Sequence, residues 1–207
     1  MTKHIKKVSG LSRREVLVGS AAGAGLVIGY SVLPNAVDSA SKAIAAGEWN
    51  HQQYLTMDAD GKAIVHVTKC ELGQHIATAL AQAVAEELEI NWDDVSVDYP
   101  DSHAKWGLML TGGSWSVNWT FDRNSRIGAS ARIALIEAGS KMMKAMPANC
   151  YAKNSRVYTA DGSKSVSYKE ILSSNTIDRT FSEEEMKSIK LKSFGEYSIA
   201  VSYTHLR

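Results

Sequence analysis

Two short stretches carry side chains with which this chain could hold a ligand. Glu71-Leu72-Gly73-Gln74-His75-Ile76-Ala77-Thr78 joins a strand-like pattern to a helix-like one, and Leu110-Thr111-Gly112-Gly113-Ser114-Trp115-Ser116-Val117 combines paired glycines with hydroxyls and aromatics. In the first, Gly73 admits positive φ or a close backbone approach, and Gln74 offers both a donor and an acceptor to a heteroatom-rich partner. In the second, Gly112 and Gly113 beside Thr111, Ser114 and Ser116 would expose N–H and hydroxyl donors, a common way to hold phosphate or a polar ring. Each stretch opens a helix, whose first N–H groups lack intrahelical partners and suit an anion. The second does not end in Gly-Lys-Ser/Thr, so a nucleoside triphosphate is not indicated. The same patterns also fit a strand-to-helix turn that binds nothing, and a Gly-Gly turn with Trp115 and Trp119 as core anchors.

The elements that must position these residues follow from hydrophobic spacing. Tyr54–Met57 and Lys62–Thr68, joined by Asp58-Ala59-Asp60-Gly61, read as a β-hairpin. Ile76, Leu80, Ala83, Val84 and Leu88 recur at helical spacing, and Val95–Tyr99 alternates up to Pro100, giving strand, helix, strand. A second helix carries Phe121, Ile127, Ala131, Ala134, Leu135, Ala138 and Met142 on one side and ends by Pro147. Cys150–Ala152, Arg156–Thr159 and Ser165–Tyr168 then read as short strands around Asp161-Gly162, and Ser182 with Glu185 as a helix-capping pair. Glu86, Glu87, Asp93 and Asp94 are read as solvated charges near a helix end, with a cation site as the alternative.

Composition sets limits. At 207 residues, 22% charged and net charge +1, the chain has room for one domain and no basic face for nucleic acid. Cys70 and Cys150 have no CxxC spacing and the six histidines are scattered, so no protein-ligated metal is expected.

The first 45 residues read as a twin-arginine export signal. Lys3, His4, Lys6 and Lys7 precede Arg13-Arg14, a weakly apolar, glycine-rich run follows from Val16 to Leu33, and Ala43-Ile44-Ala45 has the form of a cleavage site. The expected destination is the periplasm, reached by the twin-arginine export machinery. An uncleaved membrane anchor is the alternative, disfavoured by Gly19, Gly23, Gly25 and Gly29.

Taken together, Glu71-Leu72-Gly73-Gln74 with Thr78, Ala85-Glu86-Glu87-Leu88 and Leu110 to Val117, in this order, resemble the amino-terminal part of the molybdopterin-binding large subunit of the xanthine dehydrogenase family. Within that family the stretches resemble isoquinoline 1-oxidoreductase beta subunits and related periplasmic aldehyde or aromatic-heterocycle dehydrogenases. The resemblance implies an α+β fold, a mixed sheet flanked by two main helices, over residues 46–200. It implies that Gly73, Gln74, Gly112, Gly113, Ser114 and Ser116 bind a molybdopterin-type molybdenum cofactor. It further implies that the complete protein oxidises an aldehyde or aromatic N-heterocycle and passes electrons to an iron–sulfur small subunit. His75 departs from the family's Gly-Gln-Gly. The family's catalytic glutamate lies downstream of anything present here, and Val201–Arg207 does not continue the pattern, so a truncated gene with an artefactual tail is expected. A small exported binding protein for an anionic ligand, without redox activity, is the rival reading.

Overall fold

The computed structural model describes residues 26–29, 53–174, 177 and 179–199. The expected export signal and the 201–207 tail lie outside these residues, apart from Leu26–Gly29. Those four residues form β1, which pairs antiparallel with β2 (Gln53–Met57). The predicted hairpin is present: β2 pairs antiparallel with β3 (Ala63–His66), with Leu55 opposite Val65. Its turn is closed by Asp58, whose Oδ1 accepts from the N–H groups of Asp60 and Lys62, both at 2.9 Å. Gly61, at φ 82°, is required there, because a Cβ would stand 2.8 Å from the backbone nitrogen of Lys169.

The chain then runs through α1 (Ile76–Leu88) and returns as β4 (Val95–Asp98), parallel to β3. The mixed sheet has the order β1-β2-β3-β4. Its core face, Leu55, Met57, Ala63 and Val65, packs with Leu80, Ala81, Val84 and Leu88 of α1. On the strands, His66 links the sheet sideways: Nδ1 bonds to Asp98 Oδ2 at 2.9 Å, and Nε2 lies 3.0 Å from Thr56 Oγ1.

Helix α2 (Ser116–Met143) has 28 residues and is therefore about 42 Å long. That length lets it serve two packing partners. Near its middle a Cβ on Gly128 would stand 2.3 Å from the carbonyl oxygen of Val84, so the glycine lets α1 and α2 approach closely. Further along, Gly139 sits against Val157, Val166 and Ile171, which belong to a separate layer. This layer is an antiparallel sheet of β5 (Cys150–Lys153), β6 (Arg156–Thr159) and β7 (Ser165–Ser167), followed by α3 (Tyr168–Ser174). The α+β class is as expected, with the correction that the strands form two sheets rather than one.

Three further expectations are corrected. Phe121 and Met142 are exposed, because α2 buries a stripe of small and polar residues, among them Ser125, Ser130 and Ser140, on the side that touches α1 and the second sheet. Trp115 and Trp119, core anchors on the alternative reading, are exposed and meet at a tilt of 52°, with ring centroids 4.3 Å apart. Glu86 and Glu87 are buried, not solvated. Glu86 accepts from the N–H groups of Ser198, at 3.0 Å, and Ile199, while Glu87 accepts from the N–H of Lys192 at 2.8 Å and faces Arg132 at 3.5 Å. Burial raises the Glu87 pKa against the opposing pull of these donors. The capping pair is as expected: Ser182 and Glu185 bond reciprocally at the start of α4 (Glu183–Ser188).

Candidate functional site

Beyond β3 the strand direction continues for one more ladder bond, from the N–H of Val67 to the carbonyl of Asp98 at 2.8 Å. Thr68 and Lys69 remain buried, and the chain emerges at Cys70. At this point the two candidate stretches are stitched together. The Lys69 ammonium donates to the carbonyl of Leu110, and the N–H of Cys70 donates to Thr111 Oγ1, each at 2.8 Å.

The first loop, 71–75, satisfies most of its own polar groups. Glu71 Oε1 accepts from the N–H groups of Gly73 at 2.8 Å and His75 at 2.9 Å, and Oε2 from that of Ala77 at 3.4 Å. A side-chain carboxylate thus occupies the amino end of α1, where an external anion was expected. Burial opposes its charge, yet the donors from His75, Ala77 and Gly73 prevail and hold the carboxyl below its ordinary pKa. Gln74 is also engaged locally: its Oε1 accepts from the N–H of Leu72 at 2.6 Å, and its Nε2 donates to the carbonyl of Cys70 at 2.9 Å. One amide hydrogen is left to point elsewhere. The loop needs positive φ at Gly73 (92°) and at His75 (58°), and at the latter an imidazole residue adopts the left-handed form.

The second loop is built differently. The carbonyl of Gly112 accepts from the N–H of Trp115 at 3.3 Å, and Gly113 (φ 62°) and Ser114 (φ 59°) are both left-handed. Thr120 Oγ1 donates back to the carbonyl of Ser116 at 2.6 Å, fixing the first turn of α2. The hydroxyls of Ser114 and Ser116 have no protein hydrogen bond among the described residues.

Between the loops lies a cleft of about 420 Å³. Gln74, His75 and Ile76 line one side, and Thr111, Gly112, Ser114 and Ser116 the other. Of the six residues expected to bind a ligand, four therefore share one cavity, while Gly73 and Gly113 shape the turns beside it. No acidic residue lines it. Donor hydroxyls, bent backbone and the absence of carboxylates suit a ligand rich in heteroatoms and negatively charged.

Sequence reasoning missed two residues. Glu71 carried a usable signal, an acid just upstream of a helix start. Lys69 carried none, since a single cation ending a strand-like run is ordinarily solvated. Trp106 is buried against Tyr54 and His66, whereas Leu108, Leu110 and Trp115, which follow it in the chain, are exposed.

A family model described as molybdopterin cofactor-binding domain matches residues 4–205. The chain is 34% identical over 194 residues to a membrane-bound aldehyde dehydrogenase of Gluconacetobacter polyoxogenes, named with pyrroloquinoline quinone; the match covers 92% of this chain and 25% of that protein. It is 28% identical over 178 residues to the isoquinoline 1-oxidoreductase subunit beta of Brevundimonas diminuta, covering 83% of this chain and 23% of the relative. Among solved structures it is similar to quinoline 2-oxidoreductase from Pseudomonas putida 86, with a TM-score of 0.48 and 19% identity over 58% of this chain and 15% of that one. The chain spans about a quarter of the length of these curated relatives.

Proposed function

Because this chain belongs to the molybdopterin cofactor-binding domain family of the xanthine dehydrogenase type, we propose that the cleft between the 71–75 and 111–116 loops is its contribution to the cofactor site. The observation that carries this reading is the convergence of Gln74, Gly112, Ser114 and Ser116 on one cavity without a carboxylate in its lining. Ser114 and Ser116 offer hydroxyls with no described protein partner, and the left-handed Gly113–Ser114 turn places Ser114 in the lining of the same space. Gln74 spends one donor and its acceptor on the loop and keeps one amide hydrogen for the ligand. Gly73 gives the turn that brings Gln74 to the cleft. When bound, the molybdenum cofactor supplies the redox chemistry, and the chain's own residues bind and orient it.

For the complete protein, the names of the relatives support oxidation of an aldehyde or an aromatic N-heterocycle by a protein with a partner subunit; the family resemblance makes that partner an iron–sulfur small subunit that accepts the electrons. The Arg13-Arg14 pair supports delivery to the periplasm by the twin-arginine route. Replacing both arginines by lysine should leave the protein in the cytoplasm, as read by fractionation; normal processing of that variant would sink the export assignment.

The decisive measurement is elemental analysis of the purified complete protein that carries this chain. About one molybdenum per chain is expected. A preparation holding a quinone and no molybdenum would transfer the cleft to the cofactor named for the Gluconacetobacter relative. One that holds neither, yet binds a small anion, would favour a binding protein without redox activity.

A further inference from the structure

Lys69 is a buried cation with little to balance it. Its side chain is only 4% exposed, and of its three ammonium hydrogens the carbonyl of Leu110 takes one. Among the described residues no carboxylate pairs with it. Close by, the guanidinium of Arg123 lies 4.0 Å from the centre of the Tyr54 ring and donates from Nε to Asn124 Oδ1 at 3.4 Å, again without a carboxylate among the described residues. Burial first, and then repulsion from Arg123, pull the Lys69 pKa below its ordinary value. Apart from Arg123, other buried and half-buried charges among the described residues are matched. Arg132 faces Glu87, Lys192 Nζ lies 2.5 Å from Glu89, and Glu86 is met by backbone N–H groups. A buried charge left without a counter-charge is costly, so its presence at one place calls for a reason.

The location supplies one. The carbonyl that Lys69 holds belongs to the residue before Thr111, and the next backbone N–H, that of Cys70, holds the Thr111 hydroxyl. The ammonium therefore sits at the root of the loop that forms one wall of the cleft. The only carboxylate in the neighbouring 71–75 loop, Glu71, is engaged by three backbone N–H groups.

We propose that Lys69, with Arg123 behind it, is the counter-charge for an anionic group of the ligand bound in the cleft, kept under the 111–116 loop at the expense of the empty protein's stability. The proposal rests on the reading of the cleft as a cofactor site and adds to it a residue that acts by charge from beneath the loop.

The test uses Lys69→Met, which keeps the length of the side chain and removes the charge. In the complete protein, molybdenum per chain should fall at least about ten-fold, while the cofactor-free protein melts at the wild-type temperature or above. A purely structural lysine predicts the reverse, a lower melting temperature with occupancy falling only in step. Lys69→Arg should restore part of the occupancy. Wild-type molybdenum content in Lys69→Met would overturn the proposal, as would a destabilised cofactor-free protein without rescue by arginine. If Lys69→Met does not fold, Lys69→Gln takes its place, and failure of both to fold marks the residue as structural and the proposal as wrong. Should the wild-type protein hold no molybdenum, the cofactor reading fails separately. Calorimetry with inorganic pyrophosphate then decides the counter-charge: binding present in the wild type and lost in Lys69→Met supports it, and equal binding or none removes it.

Discussion

The two loops that bound the cleft solve the same local problem in opposite ways. Both turn the chain through left-handed residues into a helix, yet 71–75 closes its polar groups on itself and 111–116 leaves the hydroxyls of Ser114 and Ser116 open. Glu71 and Gln74 together engage the N–H groups of Leu72, Gly73, His75 and Ala77 and the carbonyl of Cys70. In the second loop the internal bonds involve backbone and Thr120, and the side chains of Ser114 and Ser116 remain available. A loop that has consumed its donors holds a shape, whereas a loop that has kept them meets a ligand. Motif inspection treats the two as equivalent, and the difference between them is a matter of which acceptors are already in place.

The comparison breaks first, and most severely, at Gly113. Gly113→Val forces a β-branched residue to φ 62°, at a cost of about 1–2 kcal/mol or more in the turn. Molybdenum content should drop by well over about ten-fold while circular dichroism of the remainder is preserved. An undiminished metal content would mean that the second loop is not the binding wall. Next in size, Ser114→Ala with Ser116→Ala should lower occupancy by about ten-fold, since each lost hydrogen bond is worth about 0.5–1.5 kcal/mol, without a change in melting temperature. Gln74→Ala should show the inverse balance: about 1 kcal/mol of stability lost through its two loop bonds, with a smaller fall in occupancy than the serine pair gives. If Gln74→Ala empties the site with no loss of stability, the contrast between the loops is wrong.

The smallest effect is one of pH. The Glu71 carboxyl is held below its ordinary pKa in the folded protein, so its contribution is complete above the usual carboxylate range and is lost as pH falls through the lowered value. Amide exchange at Gly73, His75 and Ala77, corrected for its intrinsic pH dependence, should therefore lose protection in acid before the rest of α1. Glu71→Gln should abolish that pH step. The 111–116 loop has no titratable residue and should show no such step in either protein.

Much of this was readable in the chain, and the reasons are local. The limits of α1 at Ile76 and Leu88, the hairpin around Asp58–Gly61 and the three strands after Cys150 all follow from periodicity and turn residues within a short window. What escaped depends on partners far away in sequence. Glu86 and Glu87 looked solvated because the N–H groups that receive them belong to residues 192–199. Phe121 and Met142 looked buried because apolar residues on a wheel ordinarily are, whereas Gly128 and Gly139 bring backbone into contact and so turn the small side of α2 inward. The site was legible as two donor loops. Its charge balance was not, since Lys69 acquires its role only when residue 69 meets 110–111, whereas Glu71 acts within 71–77.

The Glu86 and Glu87 pairings also set a timetable for the nascent chain. Glu86 and Ser198 are 112 residues apart, and at a synthesis rate of about 5–20 residues per second, roughly six to twenty seconds separate their emergence. During that interval the N–H groups of Lys192, Ser198 and Ile199, which meet the two carboxylates at the end of α1, have not yet been made. A ribosome paused between those codons would hold a chain whose α1 can already pack on β2, β3 and α2, with its carboxyl end completed only when residues 192–199 arrive.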